Sequence, residues 1–181
     1  MNIRLLSALL VFLLIASVSI PSVSAEPSQV YYELHNLCLC KESKDLGHVP
    51  YLNWGIGYKA WIDKQTDNWN IFVHAGKLAK EFTITPETNL GKLVTLIDFV
   101  NNTDECKEES DQIPFGIMAA IGAGTVGSAK LIKGALTDDA LSEILGTAGI
   151  TASAEIIHQS VIHFNNAKNA QKNAEKLFEE L

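Results

Sequence analysis

Histidine and cysteine are the side chains of this chain best suited to covalent chemistry, and one combination of them suggests a reaction. His74 lies in a predicted strand, and Cys106 follows it after a predicted helix. A histidine base beside a thiol is the arrangement that activates a cysteine nucleophile, so this pair indicates a cysteine-dependent hydrolase or acyltransferase. Glu105 and Glu108 flank the thiol, however, and nearby negative charge raises the pKa of a thiol and opposes thiolate formation.

A short resemblance accompanies the pair. Asn53-Trp54-Gly55-Ile56 and Val73-His74 resemble two strands of the lecithin retinol acyltransferase group, which has a circularly permuted papain-like fold. The resemblance implies chemistry at Cys106 assisted by His74. The chain departs from the group's pattern at the reacting residues: Asn53 stands where the group has a histidine, and Glu105-Cys106-Lys107-Glu108 replaces its Asn-Cys-Glu-His helix start. We therefore keep the enzyme as an alternative and assign no family.

The sequence predicts no metal site and no cofactor. Two cysteines in a C-x-C pattern with a third far away lack the spacing of a structural zinc site. His158 and His163 are five residues apart, so on a helix they do not share a face as paired ligands would. No G-x-S-x-G, phosphate loop or H-E-x-x-H occurs in the chain. These observations favour a non-enzymatic protein that works by contact.

Two covalent modifications are predicted. Three cysteines are an odd count for a chain that passes through an oxidising compartment, and we predict a disulfide between Cys106 and either Cys38 or Cys40. The thiol left over is expected to be buried and inert, with a disulfide-linked dimer and thiolate binding of a soft metal as alternatives. Asn101 is the acceptor of an N-x-T sequon and is a glycosylation site if the source is eukaryotic.

Residues 1–25 have the features of a secretory signal peptide. Arg4 gives a positive start, Leu5–Ile20 is an apolar run, and Val23-Ser24-Ala25 is a small-residue cleavage site. We therefore predict a secreted, extracellular protein. Removing Arg4 changes the formal charge from -7 to -8 and leaves a chain without arginine. Because arginine supplies most contacts to phosphates and base edges, no nucleic-acid partner is expected, and the possible partners are a membrane surface or a protein.

The first half of the chain alternates apolar and polar residues in the manner of strands. We predict a strand over Val30–Cys40 and a hairpin of Leu52–Ile62 with Trp69–His74, closed by a turn at Asp63–Asn68. A third strand, Glu81–Thr85, is expected to follow. Thr85-Pro86-Glu87 then resembles a helix start, Leu90 to Val100 have helical spacing, and Asn101 to Asp111 are expected to form an acidic loop.

The second half is predicted to be helical, and it begins with the uncharged stretch Ile113–Ala129. As a helix these 17 residues reach only about 26 Å, which is marginal for a bilayer. We therefore expect a buried central helix, with insertion into a membrane as a conditional event. Its small residues lie four apart and are expected to form one packing ribbon: Gly116, Ala120, Gly124 and Ser128. Thr137 is expected to cap the next helix, glycines near 146–149 to break it, and a long helix to run from Ala152 to the end.

These elements predict an α+β fold: an N-terminal antiparallel hairpin or sheet with one packed helix, then a helical region with a Gly/Ala-rich central helix and a long terminal helix. The β-rich half covers residues 26–112 and the helical half covers 113–181, and we expect them to pack as one domain. The predicted function is that of a secreted, non-enzymatic protein of the defence, toxin or effector type. It acts by surface contact or by conditional membrane interaction through the helix at 113–136.

Two alternatives from other classes remain open at this point. One is the cysteine-dependent enzyme with Cys106 and His74. The other is a plain secreted binding module whose ligand lies on an aromatic surface made by Trp54, Tyr58, Trp61 and Trp69.

Overall fold

The fold is α+β, as predicted, with an antiparallel sheet near the N-terminus and a long helix at the C-terminus. The computed structural model describes residues 27–39, 55–127 and 136–181; the predicted signal peptide lies outside them. The elements of these ranges are, in chain order, α1 (Pro27–Leu39), β1 (Ile56–Ile62), β2 (Trp69–Ala75), β3 (Leu78–Ile84), α2 (Leu90–Asp111), α3 (Phe115–Gly127), α4 (Asp138–Thr147) and α5 (Ala154–Glu180).

The sheet has the order β1-β2-β3, and both neighbouring pairs are antiparallel. The β1–β2 turn lies at Asp63–Asn68, as predicted, and the Asp63 amide donates to the Asn68 carbonyl over 2.8 Å. The β2–β3 turn needs a glycine, because Gly76 has a φ of +63°. Gly76 also donates to the Gly55 carbonyl, and a Cβ on Gly55 would lie only 3.0 Å from the Gly76 Cα. Gly55 and Gly76 therefore allow the chain before β1 to approach the β2–β3 turn closely.

The register divides the sheet into two faces. Side chains alternate along a strand and directly paired residues share a face. The inner face carries Ile56, Tyr58, Ile71, Val73 and Ile84, all of which are buried. The opposite face, called the outer sheet face below, consists of Gly57, Lys59, Trp61, Asn70, Phe72, His74, Ala79, Glu81 and Thr83.

The prediction of a strand at Val30–Cys40 is wrong, because this segment contains α1. Val30, Leu34 and Cys38 are four residues apart and are all buried, at 5%, 0% and 1% exposure. That is the spacing of a helix face, and the imperfect alternation of the segment hid it. Tyr31 packs edge-on against Trp69 with 5.5 Å between ring centroids, so contact with the sheet holds α1 in place.

The acidic loop predicted at Asn101–Asp111 is also wrong, because α2 continues through it to Asp111. The segment is polar on its solvent side, but Thr103, Asp104 and Cys106 are buried. Packing of one side therefore outweighs the polarity that suggested a loop. Lys107 and Asp111 add an ion pair one turn apart on the exposed side.

The start of α2 differs from the prediction as well. Helix α2 begins at Leu90 with Asn89 as its N-cap, and the Asn89 side chain accepts from the Lys92 amide. Thr85 lies in the turn before it, where its amide donates to the Thr88 hydroxyl over 2.9 Å. Both sites offer a capping side chain, and the structure uses the later one.

The predictions for the last third of the chain are confirmed in their main points. Thr137 caps α4, and its hydroxyl accepts from the Ala140 amide. Helix α4 ends at Thr147, and Gly149 adopts a φ of +69° in the break. Helix α5 then runs from Ala154 to Glu180 with Ser153 as its cap.

Helices α2 and α5 run antiparallel and form the main helix–helix contact of the structure. Phe99 meets Phe178 at one end with 6.4 Å between ring centroids, and Glu109 binds His163 at the other end over 2.7 Å. Ala167, Ala170 and Ala174 are buried along α5, and such small side chains let two helices approach closely. Residues from both predicted halves of the chain enter the same hydrophobic core.

Candidate functional site

The junction between α2 and α3 brings the uncharged stretch to the surface. After α2 ends at Asp111, the Ile113 amide donates to the Ser110 carbonyl over 3.1 Å. Helix α3 begins directly after Pro114, whose carbonyl accepts from the Met118 amide over 3.0 Å. The two helices are therefore joined by a short connection, and an acidic helix end leads straight into an apolar helix start.

One side of α3 is buried, and the other is open where the helix begins. The buried side is aliphatic, and its members are Ile113 at 5% exposure, Ile117 at 3%, Ala120 at 3% and Ile121 at 0%. Phe115, in contrast, is 83% exposed, and Pro114 and Gly116 beside it are exposed too. We call Pro114, Phe115 and Gly116 the Phe115 tip. It places an aromatic ring in water on an element that contains no charged residue.

The predicted small-residue ribbon is exposed at its first member and buried at its second. Gly116 is exposed, and a Cβ on it would meet no atom within 4 Å. Ala120, one turn later, is buried. Gly124 lies farther along α3, and Ser128 lies outside the described residues. The isoleucines Ile117 and Ile121 are buried in the hydrophobic core and carry the packing of α3, whereas Gly116 contributes no side chain to it.

Two histidine–carboxylate contacts connect α5 to other helices. His163 Nδ1 lies 2.7 Å from Glu109 Oε2 on α2, and His158 Nδ1 lies 3.0 Å from Asp138 Oδ2 on α4. The first pair is half-buried and the second is exposed. The two histidines therefore point to different partners, and their role here is to join helices.

The alternative catalytic pair is not brought together. His74 lies on the outer sheet face, with Nδ1 3.3 Å from the Gly55 carbonyl oxygen. Cys106 lies on α2, which packs against the inner face, as the hydrogen bond from the Tyr58 hydroxyl to Asp104 Oδ1 shows (3.0 Å). The sheet thus separates the imidazole from the thiol. Cys106 is also fully buried, so a substrate cannot reach its Sγ in this conformation.

The thiols themselves are poor nucleophiles. Burial raises the pKa of Cys38 to about 12, with a smaller contribution from the charge of Asp104. Burial likewise raises the pKa of Cys106 to about 12, with contributions from Glu105 and Glu175. Both thiols therefore stay protonated at neutral pH.

The predicted disulfide of Cys106 with Cys38 or Cys40 is absent from the structure, where Cys38 and Cys106 are free thiols. Cys106 shares a side of α2 with Phe99, which meets α5. Cys38 is close to Asp104, two residues away from Cys106 and therefore about 200° around the helix. Cys40 is outside the described residues.

Alkylation of the native protein checks this burial. At about pH 8, iodoacetamide is expected to leave Cys38 and Cys106 unlabelled, because both are buried and protonated, and to label both once urea unfolds the chain. Peptide mapping by mass spectrometry resolves each cysteine. Fast labelling of Cys106 in the native state, accompanied by loss of a hydrolase activity, would instead support the enzyme.

A buried polar contact that the sequence did not reveal lies where α1, β1 and α2 meet. Tyr58 is 1% exposed and Asp104 is 8% exposed, and the phenol donates to the carboxylate. Asp104 belongs to the segment predicted as a solvated acidic loop, and its acidic neighbours favour that interpretation. Its spacing of four residues from Val100 was the available signal, and it would have required extending the helix through a polar segment.

The proposed aromatic surface is divided between the two faces of the sheet. Tyr58 and Trp69 are buried on the inner face, where they belong to the core. Trp61 lies on the outer sheet face and is half-buried, with Phe72 and His74 on the same face. Trp54 lies outside the described residues. A binding module would therefore use Trp61 and Phe72, a different set from the one predicted.

The sequon lies in the middle of α2. Asn101 is exposed, so a glycan on it would extend into solvent. Thr103, the other residue that the sequon requires, is fully buried. Glycosylation of this site therefore has to occur before α2 packs, and it remains a prediction.

Comparisons of the chain with protein-family models, with curated proteins and with solved structures find no match. Within the described residues, no group of three or more potential ligand side chains is placed to hold a metal ion. In the same ranges no helix combines the length and the apolarity needed to cross a membrane. The geometry of the Phe115 tip and of the outer sheet face is what remains to indicate a function.

Proposed function

We propose that the protein is a secreted, non-enzymatic protein of the defence, toxin or effector type, and that it contacts a lipid surface through the Phe115 tip. The observation that carries this proposal is the 83% exposure of Phe115 at the start of an uncharged helix. An exposed aromatic ring costs hydrophobic free energy in water that it recovers in the boundary layer of a membrane. Pro114 and Gly116 beside it add no charge that contact would have to desolvate.

The strength of this contact is limited by its size. Complete burial of a phenylalanine side chain is worth about 1.5–3 kcal/mol, so the tip alone gives weak and reversible binding. Ile117 and Ile121 could contribute more, but both are buried in the structure. Deeper insertion therefore requires α3 to separate from α4, and this requirement makes the membrane interaction conditional.

Charge selects the kind of lipid. The chain without residues 1–25 carries a formal charge of -8, one less than the -7 of the full sequence because Arg4 is lost. Glu105, Glu108 and Asp111 precede the tip by nine, six and three residues. Anionic lipids repel such a surface, so we expect binding to neutral, zwitterionic vesicles and weaker binding to anionic ones at low salt.

The test compares two exposed apolar residues on phosphatidylcholine vesicles. In a flotation assay with the secreted chain, Phe115→Ser is expected to lower the partition coefficient roughly tenfold, which corresponds to about 1.4 kcal/mol. Leu78→Ser is the matched control, because Leu78 is 68% exposed but lies on β3. The control is expected to partition like the unchanged protein.

Dye leakage from the same vesicles examines the conditional step. Release that depends on Phe115 would support separation of α3 from α4, and hydrogen exchange should then show loss of protection in α3. The membrane proposal fails if the unchanged protein neither floats with vesicles nor releases dye between about pH 5 and about pH 8, or if both serine variants lose binding equally.

A further inference from the structure

We propose that the outer sheet face is the interface of a two-fold symmetric dimer of this chain. The helices that contact the sheet in the described part of the chain lie on its inner face, as Tyr58–Asp104, Tyr31–Trp69 and Lys80–Phe178 show. The outer face carries the aromatic rings of Trp61 and Phe72 in its centre, both partly exposed, beside Gly57 and Asn70, which are buried. This proposal is independent of the Phe115 tip.

The central row of this face has opposite charges at its two ends. Phe72 on β2 is paired with Lys59 on β1 and with Glu81 on β3. The two charged side chains are exposed, and two strand spacings of about 4.8 Å keep them roughly 10 Å apart. Neither of them forms an ion pair with another residue of the described ranges. The row therefore presents a cation and an anion on either side of an aromatic ring.

A two-fold axis parallel to β2 makes this row complementary to itself. Such an axis places two outer faces against each other, keeps the position along the strand and exchanges β1 with β3. Lys59 then faces Glu81 of the second copy, and the reverse pair forms by symmetry. Phe72 meets its own copy on the axis, which gives an aromatic contact at the centre of the interface.

In the next row of paired residues, the two-fold axis places large side chains opposite small ones. Trp61, Asn70 and Thr83 are paired across the three strands. The axis places the large Trp61 over the small Thr83 of the second copy, so a bulky side chain meets a short one on both sides. Asn70 is held by a 2.8 Å hydrogen bond from the Thr83 hydroxyl, which fixes the surface between them. Two sheets packed in this way form an aligned sandwich about 10 Å thick.

The size of the face limits the affinity. Three strands of seven residues cover a footprint of roughly 14 by 23 Å, which is well below the area of about 800 Å² that a stable partner usually buries. The negative net charge of each copy opposes association further. We therefore expect a weak dimer that forms only at high protein concentration.

Charge exchange across the axis is the test. Sedimentation velocity of the unchanged protein is expected to show a concentration-dependent monomer–dimer equilibrium. Lys59→Glu and Glu81→Lys are each expected to raise the dissociation constant at least tenfold, because like charges then meet at both symmetry-related positions. The double variant Lys59→Glu/Glu81→Lys restores opposite charges and is expected to dimerise like the unchanged protein.

Lys77→Glu is the matched control, since it makes the same charge change on an exposed residue of the β2–β3 turn and should leave the equilibrium unchanged. The proposal is overturned if the unchanged protein stays monomeric up to about 1 mM, a typical limit for weak association. It is equally overturned if the double variant is no better than the single ones, or if Phe72→Ser has no effect on self-association.

Discussion

Replacing Phe99 with alanine is expected to lower the free energy of unfolding by about 3–5 kcal/mol, as is usual when a buried phenylalanine is truncated. Phe99 is fully buried on α2, and its ring meets that of Phe178 on α5. The lost side chain leaves a cavity that its neighbours have to fill. For a chain of this size, the melting temperature should fall by roughly 10 °C.

We expect a loss near the upper end of this range of about 3–5 kcal/mol because of the way α2 and α5 pack against each other. Ala170 and Ala174, which precede Phe178 on α5, are buried and have no rotatable side chain to move into the space. The helices are also fixed at the other end by Glu109 and His163. Collapse of the cavity would therefore require displacing a whole helix.

Urea denaturation followed by circular dichroism measures this effect. Val94→Ala is the control on the same helix, since Val94 is 43% exposed and its truncation should cost less than about 1 kcal/mol. A double variant with Phe178→Ala is expected to be less destabilised than the sum of the two single variants, because the two rings share one contact. A loss below about 1 kcal/mol for Phe99→Ala would contradict the packing described for α2 and α5.

The parts of the fold that the sequence predicted correctly are those in which one local pattern has no strong competitor. Strict alternation from Tyr58 to Ile62 specifies a half-buried strand, and the polar turn that follows it fixes the hairpin. The Thr137 hydroxyl before two aspartates specifies a helix start. In each case the residues that decide the structure are neighbours in sequence, so no tertiary information is needed.

The parts that were predicted wrongly depend on contacts distant in sequence. In α1, residues such as Tyr31 and Cys38 fit a strand as well as a helix, and packing against Trp69 and α2 decides between them. In the second half of α2, Thr103, Asp104 and Cys106 are buried among exposed polar residues. The local composition there is that of a solvated loop, so the burial could not be read from it.

The outer sheet face and the Phe115 tip also differ in how far the sequence predicts them. The outer sheet face follows from alternation once the β2–β3 turn is placed at Gly76, because the register then pairs Lys59, Phe72 and Glu81. The exposure of Phe115 could not be predicted from the sequence. Its neighbours on α3 are all uncharged, so the sequence does not distinguish the buried side of this helix from the exposed side. The exposure of Phe115 depends on which side of α3 packs into the core, and that side is the one of Ile117 and Ile121.

Alkaline pH is expected to destabilise the protein through its two buried thiols. Burial raises the pKa of both Cys38 and Cys106 from 9.0 to about 12 in the folded state, whereas both thiols regain an ordinary pKa when the chain unfolds. Below about pH 9 the thiols are protonated in both states, so they give no pH dependence there. Between about pH 9 and about pH 12 the unfolded chain loses these protons first.

The sign follows from proton binding. In that window the unfolded state holds fewer protons than the folded state, so the free energy of unfolding falls as pH rises. One pKa unit corresponds to about 1.4 kcal/mol, so each thiol should cost about 2 kcal/mol by roughly pH 10.5. The two together then remove about 4 kcal/mol, a large fraction of the stability of an ordinary domain.

The double variant Cys38→Ala/Cys106→Ala isolates this effect, because tyrosines and lysines titrate equally in both proteins and cancel in the comparison. The free energy of unfolding is measured in urea with a reductant present, from about pH 8 to about pH 10.5. The unchanged protein should lose about 4 kcal/mol more than the variant over this range. A difference below about 1 kcal/mol would mean that the thiols ionise in the folded state, and hence that water or a cation reaches Cys38 and Cys106 through the contacts that α2 makes with α1 and α5.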